Sequence, residues 1–155
     1  MERLNLIVPQ IGTRARLLRF VVESMYGRPM KRSQFIRLQK FLQRKWANKG
    51  IRFIFDDHVI ERSSRPENSH NPITETELKM ILVSFYNTYA NQISRLEAGE
   101  GGIIRNEDTG INLPFVMNWS KRGEYKIALV IRTMMRKQYF EPLNPDDKLY
   151  RVTLR

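Results

Sequence analysis

The stretch Pro72-Ile73-Thr74-Glu75-Thr76-Glu77-Leu78 constrains the fold of this chain more tightly than any other. Thr74 and Glu77 have the spacing of a capping box, in which each side chain satisfies a free backbone N–H at a helix start. Ile73 and Leu78 can clasp across them as a hydrophobic staple. A helix therefore begins here. Leu78, Ile81, Leu82, Phe85, Tyr89, Ile93 and Leu96 keep the helical period to about Glu97, which predicts a central core helix. Glycines 99, 101 and 102 break it.

Upstream, Leu17, Leu18, Val21, Val22 and Met25 mark one face of a helix from about Thr13 to Tyr26, closed by Gly27 and Pro29. A second helix, Ser33 to Ala47, turns Phe35, Leu38, Leu42 and Trp46 toward a core and Arg37, Lys40, Arg44 and Lys45 away from it; Gly50 stops it. Ile51 to Phe55 reads as a short strand. Downstream the period falls to two. Ile103–Asn106, Ile111–Trp119, Tyr125–Arg136 and a last segment from Leu149 to Leu154 read as strands, with turns at Asp108-Thr109-Gly110 and Ser120-Lys121-Arg122-Gly123. Pro114 demotes its strand to an edge or a bulge. Along the long strand, strict alternation predicts Tyr125, Ile127, Leu129, Ile131 and Thr133 on the helices and Lys126, Ala128, Val130, Arg132 and Met134 outward, with Arg132 and Arg136 sharing a face. The expected class is α+β: an N-terminal helical hairpin and a central core helix packed on a C-terminal antiparallel β-meander. With 155 residues, one domain is expected.

Charge is distributed unevenly along the chain. Residues 1–52 hold thirteen Lys/Arg against two carboxylates, and residues 53–155 hold fourteen of each sign, so the net +11 belongs to the first third. Arg14, Arg16 and Arg19 on the first helix and Arg37, Lys40 and Arg44 on the second could form one basic ridge. Clustered cations neutralise phosphates and release counterions, which points to a polyanion; the competing reading is a solvated helical face.

The absence of cysteine removes disulfides, thiolate zinc sites and cysteine nucleophiles. Two histidines make a transition-metal site improbable, so no metal or cofactor is expected. No apolar run reaches the length of a membrane span and the start lacks a signal-peptide pattern, so a soluble intracellular protein with no membrane partner is expected. Phosphate-cradling glycine motifs are absent, and scattered carboxylates argue against a two-metal nuclease.

Polar chemistry concentrates at Asp56-Asp57-His58-Val59-Ile60-Glu61-Arg62-Ser63-Ser64-Arg65. If Asp56 caps a helical turn, His58, Glu61, Arg62 and Arg65 project from one face. Cleaving RNA through its 2′-hydroxyl needs a group to take that proton, an acid for the leaving oxygen, and cations for the charged phosphorane. These side chains could supply all three without metal: His58 as acid/base, Arg62 and Arg65 on the phosphate. The competing reading is a salt-bridged helix surface. Arg132 and Arg136, together with Lys126, could line the sheet surface and extend the phosphate track, or could simply guard a strand edge. Asn68 and His70 lie in a loop that could sit beside the site or be an inert surface excursion, the second reading preferred, and Tyr139 and Phe140 give only weak support for base stacking.

His58, Arg62 and Arg65, followed by the Ile73-Thr74 helix start and a sheet with a Thr-bearing strand, loosely resemble the RelE, barnase, EndoU and colicin group of ribonuclease and toxin domains. That resemblance implies a ribonuclease-like α+β part over about residues 51–155 behind a basic helical part over about 1–50. A departure from it is the longer loop after Arg65. The run from His58 through Glu61-Arg62, Pro72-Ile73-Thr74 and Asn112-Leu113-Pro114-Phe115-Val116 to Arg132-Thr133-Met134-Met135-Arg136-Lys137 and Pro145-Asp146 is similar to short uncharacterised proteins of tailed bacteriophages. This likeness implies a host-cell cytoplasmic or virion-associated protein and no particular activity. Two functions are carried forward. One is a metal-independent endoribonuclease using His58. The other is a non-catalytic regulatory or virion module that binds nucleic acid, RNA ahead of DNA, or an acidic host protein through its basic helices.

Overall fold

The computed structural model describes residues 29–63, 72–121, 123–137 and 147–154. The helix expected at 13–26, with Arg14, Arg16 and Arg19, lies outside them, as do Arg65, Asn68, His70, Tyr139 and Phe140. The elements are α1 (Arg32–Trp46), β1 (Ile51–Phe55), α2 (Asp57–Ser63), α3 (Glu75–Ile93), β2 (Gly101–Asn106), β3 (Ile111–Trp119), β4 (Ile127–Ile131), β5 (Met135–Arg136) and β6 (Lys148–Arg151). The class is α+β, as the change of period predicts.

Both long helices start where their side chains can serve the free N–H groups. Thr74 Oγ1 accepts from Glu77 N at 3.2 Å and Glu77 Oε1 accepts from Thr74 N at 3.1 Å, completing the capping box of α3. On α1, Gln34 Oε1 accepts from Lys31 N at 2.7 Å. A short 3-10 turn (Ala47–Lys49) follows α1, and Gly50, at φ 69°, supplies the left-handed residue that lets β1 begin at once.

The sheet runs in the order β1-β4-β3-β2-β6. Strands β2, β3 and β4 form the expected antiparallel meander, but β1 joins β4 and β6 joins β2 in parallel, so the whole sheet is mixed. Its inner face packs on α1 and α3: the Phe35 ring lies 5.4 Å from Phe55, and Phe85 lies within 6 Å of Trp46, Phe115 and Tyr150. Phe85 is fully buried, as its phase on α3 requires. Gly102 has no freedom to be anything larger, because a Cβ there would stand 2.5 Å from the Tyr150 ring and 2.7 Å from Lys148 O.

The open edge of β1 is sealed by side chains. Gln43 Oε1 accepts from Phe53 N at 2.8 Å while its Nε2 donates to Ile51 O at 3.1 Å, and Gln39 Oε1 accepts from Phe55 N at 2.8 Å. Two glutamines one helical turn apart thus stand in for a neighbouring strand and remove the hazard of an exposed edge.

The strand expected over Tyr125–Arg136 is interrupted. Pro114 O accepts from Arg132 N at 3.0 Å, but Pro114 has no N–H to return the bond, and the chain leaves the ladder for residues 132–134. Before the break Phe115 pairs with Ile131; after it Asn112 pairs with Met135 and Ile111 with Arg136. Three residues face two, a β-bulge with one residue gained. The expectation that Arg132 and Arg136 share a face is therefore corrected. Arg132 stays outward, whereas Arg136 pairs with buried Ile111 and turns toward the helices; Met134 likewise packs on the core.

Candidate functional site

The end of β1 is stitched to the end of β4 by Asp56 N donating to Ile131 O at 3.0 Å. That bond brings the start of α2 beside the bulge that holds Arg132. Asp56 caps α2 as expected: its Oδ1 accepts from His58 N at 3.0 Å and its carbonyl from Val59 N at 2.9 Å. Val59 is fully buried and anchors the helix, while Ser63 Oγ closes its far end on Ile60 O at 2.8 Å. With Val59 inward, His58 and Arg62 emerge four residues apart on the exposed side.

His58 and Arg62 line one open cleft of about 580 Å³ together with Arg132, Thr133 and the outward side of the sheet at Gly101, Ile103, Pro114 and Val116. Thus His58, Arg62 and Arg132, three of the residues singled out from the sequence, converge although more than sixty positions separate the first from the last. Among the described residues Arg132 enters no ion pair and the His58 ring takes no hydrogen bond, so imidazole and guanidinium are both available to a ligand.

Arg136 is not part of this wall. Its guanidinium donates to Glu77 Oε1 at 2.7 Å, to Thr109 O at 3.0 Å and to Pro72 O at 3.1 Å, and the Glu77 side chain has no exposure at all. It holds the start of α3 and the turn before β3 together. On α1, Arg37 is occupied as well: its Nη2 donates to the two Glu75 oxygens at 2.9 and 2.6 Å and its Nε to Oε1 at 3.2 Å, and that hydrogen-bonded carboxylate raises the guanidinium pKa further. Lys40 and Arg44 remain exposed and, among the described residues, outside any ion pair.

Asp147, just before β6, is a lining residue that sequence reasoning did not select. Its only signal was position at the end of a Pro/Asp-rich loop. Gly102 pairs with Lys148, which places Asp147 on the β6 side of the cleft; Arg132, on the β4 line, stands about three strand spacings away, roughly 14 Å. One wall is therefore cationic and the other carries a carboxylate. Among the described residues no group of three His, Asp or Glu could hold a metal ion, and no helix is long and apolar enough to cross a membrane. Comparison of the chain with protein-family models, with curated proteins and with solved structures finds no match.

Proposed function

We propose that this protein binds RNA with a backbone phosphate against Arg62 and Arg132, and cuts it by transphosphorylation at His58. The observation that carries the reading is the convergence of His58, Arg62 and Arg132 on one open cleft from two distant parts of the chain. The neutral imidazole of His58 takes the 2′-hydroxyl proton, the 2′-oxygen bonds to phosphorus, and the bond to the 5′-oxygen breaks as that oxygen takes a proton from the imidazolium just formed. Arg62 and Arg132 stabilise the phosphorane, whose charge exceeds that of the ground-state diester. The lining offers one imidazole and one distant carboxylate, a donor set suited to proton transfer rather than to two bridged metals. Arg65 is proposed as a further phosphate contact, on the sequence pattern alone.

The purified protein should cut single-stranded RNA in EDTA, leaving a 2′,3′-cyclic phosphate, and His58→Ala should lose about a hundredfold or more in rate while still binding. Wild type that binds RNA and leaves it intact would remove the chemistry. One observation favours the second reading in that event: α1 carries five cations, Arg32, Arg37, Lys40, Arg44 and Lys45, and no carboxylate. A non-catalytic phage-type module docking on nucleic acid or on an acidic protein through α1 would then stand.

A further inference from the structure

Among the described residues no strand of the sheet contains an Asp or Glu. The outward positions are cationic wherever they are charged: Arg52 on β1, Arg105 on β2 and Arg151 on β6, with Arg132 in the bulge beyond β4. Two of these are spent within the fold. Arg105 Nε donates to Asn112 Oδ1 at 2.8 Å, and Arg151 pairs with Glu107 at 3.0 Å. The others lie along β4. Arg52, between buried Ile51 and Phe53, stands abreast of Ala128, which is itself abreast of Asn118. Lys126 precedes β4 and is kept in line with it by Ser120 N donating to its carbonyl at 2.8 Å, so its side chain continues the outward set. Among the described residues Arg52, Lys126 and Arg132 enter no ion pair, and the sequence from 120 to 126 holds one carboxylate, Glu124.

The geometry points to the outward side of β4 as an exit lane for single-stranded RNA, with phosphates meeting Arg132 at the cleft, then Arg52, then Lys126. From Arg132 to Lys126 is six strand residues, about 20 Å. A flexible single strand can turn from the cleft onto the line of β4 and track it through its backbone, which suits it better than a stiff duplex. The lane rests on the proposed RNA reading of the cleft, yet it is separable from the chemistry, since it concerns where the strand runs and not whether it is cut.

The test is the binding of labelled oligouridylates of four and twelve nucleotides to the full chain at several salt concentrations. The His58→Ala background keeps the RNA intact. Arg52→Ser with Lys126→Ser should flatten the salt slope for the twelve-mer by about 1.4, close to 0.7 per phosphate lost, and leave the four-mer unchanged. Trp119, exposed at 73% on the opposite side of the pleat, is the control: Trp119→Ala should bind both lengths as the parent does. An unchanged twelve-mer slope would overturn the lane. So would equal losses for both lengths, or a Trp119→Ala loss as large as that of the double variant, or tighter binding of duplex RNA. Cleavage by wild type with an unchanged slope would sink the lane and keep the cleft reading. A flattened slope without cleavage would do the reverse.

Discussion

The buried pair between Glu77 and Arg136 offers the sharpest test of how this fold uses its cations. Glu77 is fully enclosed and the Arg136 side chain is only 11% exposed, so neither charge can recover solvent if its partner disappears. Glu77→Gln keeps the hydrogen-bonding shape of the capping box, because Gln serves at that position as well as Glu, and so isolates the charge. What it leaves is a guanidinium held by the carbonyls of Thr109 and Pro72 and deprived of the Glu77 charge, an arrangement expected to cost about 3 to 5 kcal/mol. Arg136→Met should cost a similar amount by taking the guanidinium away from a buried carboxylate. The double variant should regain much of the loss, since neither charge is then unpaired, giving a coupling of roughly 2 kcal/mol or more in a cycle. Urea unfolding followed by circular dichroism reads all four proteins. Single variants within about 1 kcal/mol of wild type, or losses that simply add, would refute the argument. A variant of Arg136 that flattened the salt dependence of RNA binding without losing stability would return this residue to the phosphate track.

Three further outcomes follow from the packing. Gly102→Ala should destabilise by about 1 to 3 kcal/mol, because the added methyl must displace the Tyr150 ring and meets the Lys148 carbonyl; an unchanged urea midpoint would show that the ring is not held there. Gln43→Ala strands the Phe53 N–H and the Ile51 carbonyl at the sheet edge, so it should cost about 1 to 3 kcal/mol and promote self-association visible by light scattering. Burial, helped by Glu100 and Tyr89, raises the pKa of the Tyr150 phenol above its usual value near 10. The unfolded chain then loses that proton first. Stability should therefore be intact below pH 10 and fall as pH rises through the folded value, and the difference between wild type and Tyr150→Phe in urea midpoint at pH 9 and pH 11 checks the sign.

Local chemistry was legible and long-range pairing was not. The cap at Thr74, the phase of Phe85 and the ends of β1 and β3 follow from side chains within a few residues of one another, and the structure has them as read. Nothing local says that β1 will lie parallel to β4, because the residues it pairs with are more than seventy positions away. The glutamine seal was hidden for the same reason: Gln39 and Gln43 look like solvated helix positions until the edge of β1 is known to run beside them. Of the candidate site, the Asp56 cap and the shared face of His58 and Arg62 were visible in the spacing. Asp147 was not, since its place in the cleft depends on β6 joining β2.

The division of labour between Arg132 and Arg136 rests on a bulge that two features hold together, Pro114 and the Glu77 ion pair. In a regular strand two residues of the same parity share a face, and the residue gained opposite Pro114 is why these do not. A proline in β3 can accept the bond from Arg132 N but cannot return one, and the partner chain responds by gaining a residue before it pairs again at Met135. The gained residue inverts the alternation, sending Arg132 to the open cleft and Arg136 to the buried carboxylate of Glu77. Replacing Pro114 by Val would restore the missing donor and leave the ion pair to hold the bulge by itself. If the ladder then closed without it, Arg136 would swing to the solvent side, and Glu77 would stay buried without that guanidinium. The core pair therefore opposes closure, and about 3 to 5 kcal/mol of ion-pair loss outweighs the roughly 1 kcal/mol that one added backbone bond contributes. Pro114→Val should accordingly keep the bulge, leave the His58, Arg62 and Arg132 cleft in place, and change stability by no more than about 1 kcal/mol. Amide exchange at residue 114 decides it: a slowly exchanging, ladder-bonded N–H would mean that the strand had closed, and that proline and ion pair do not share control of where these two arginines point.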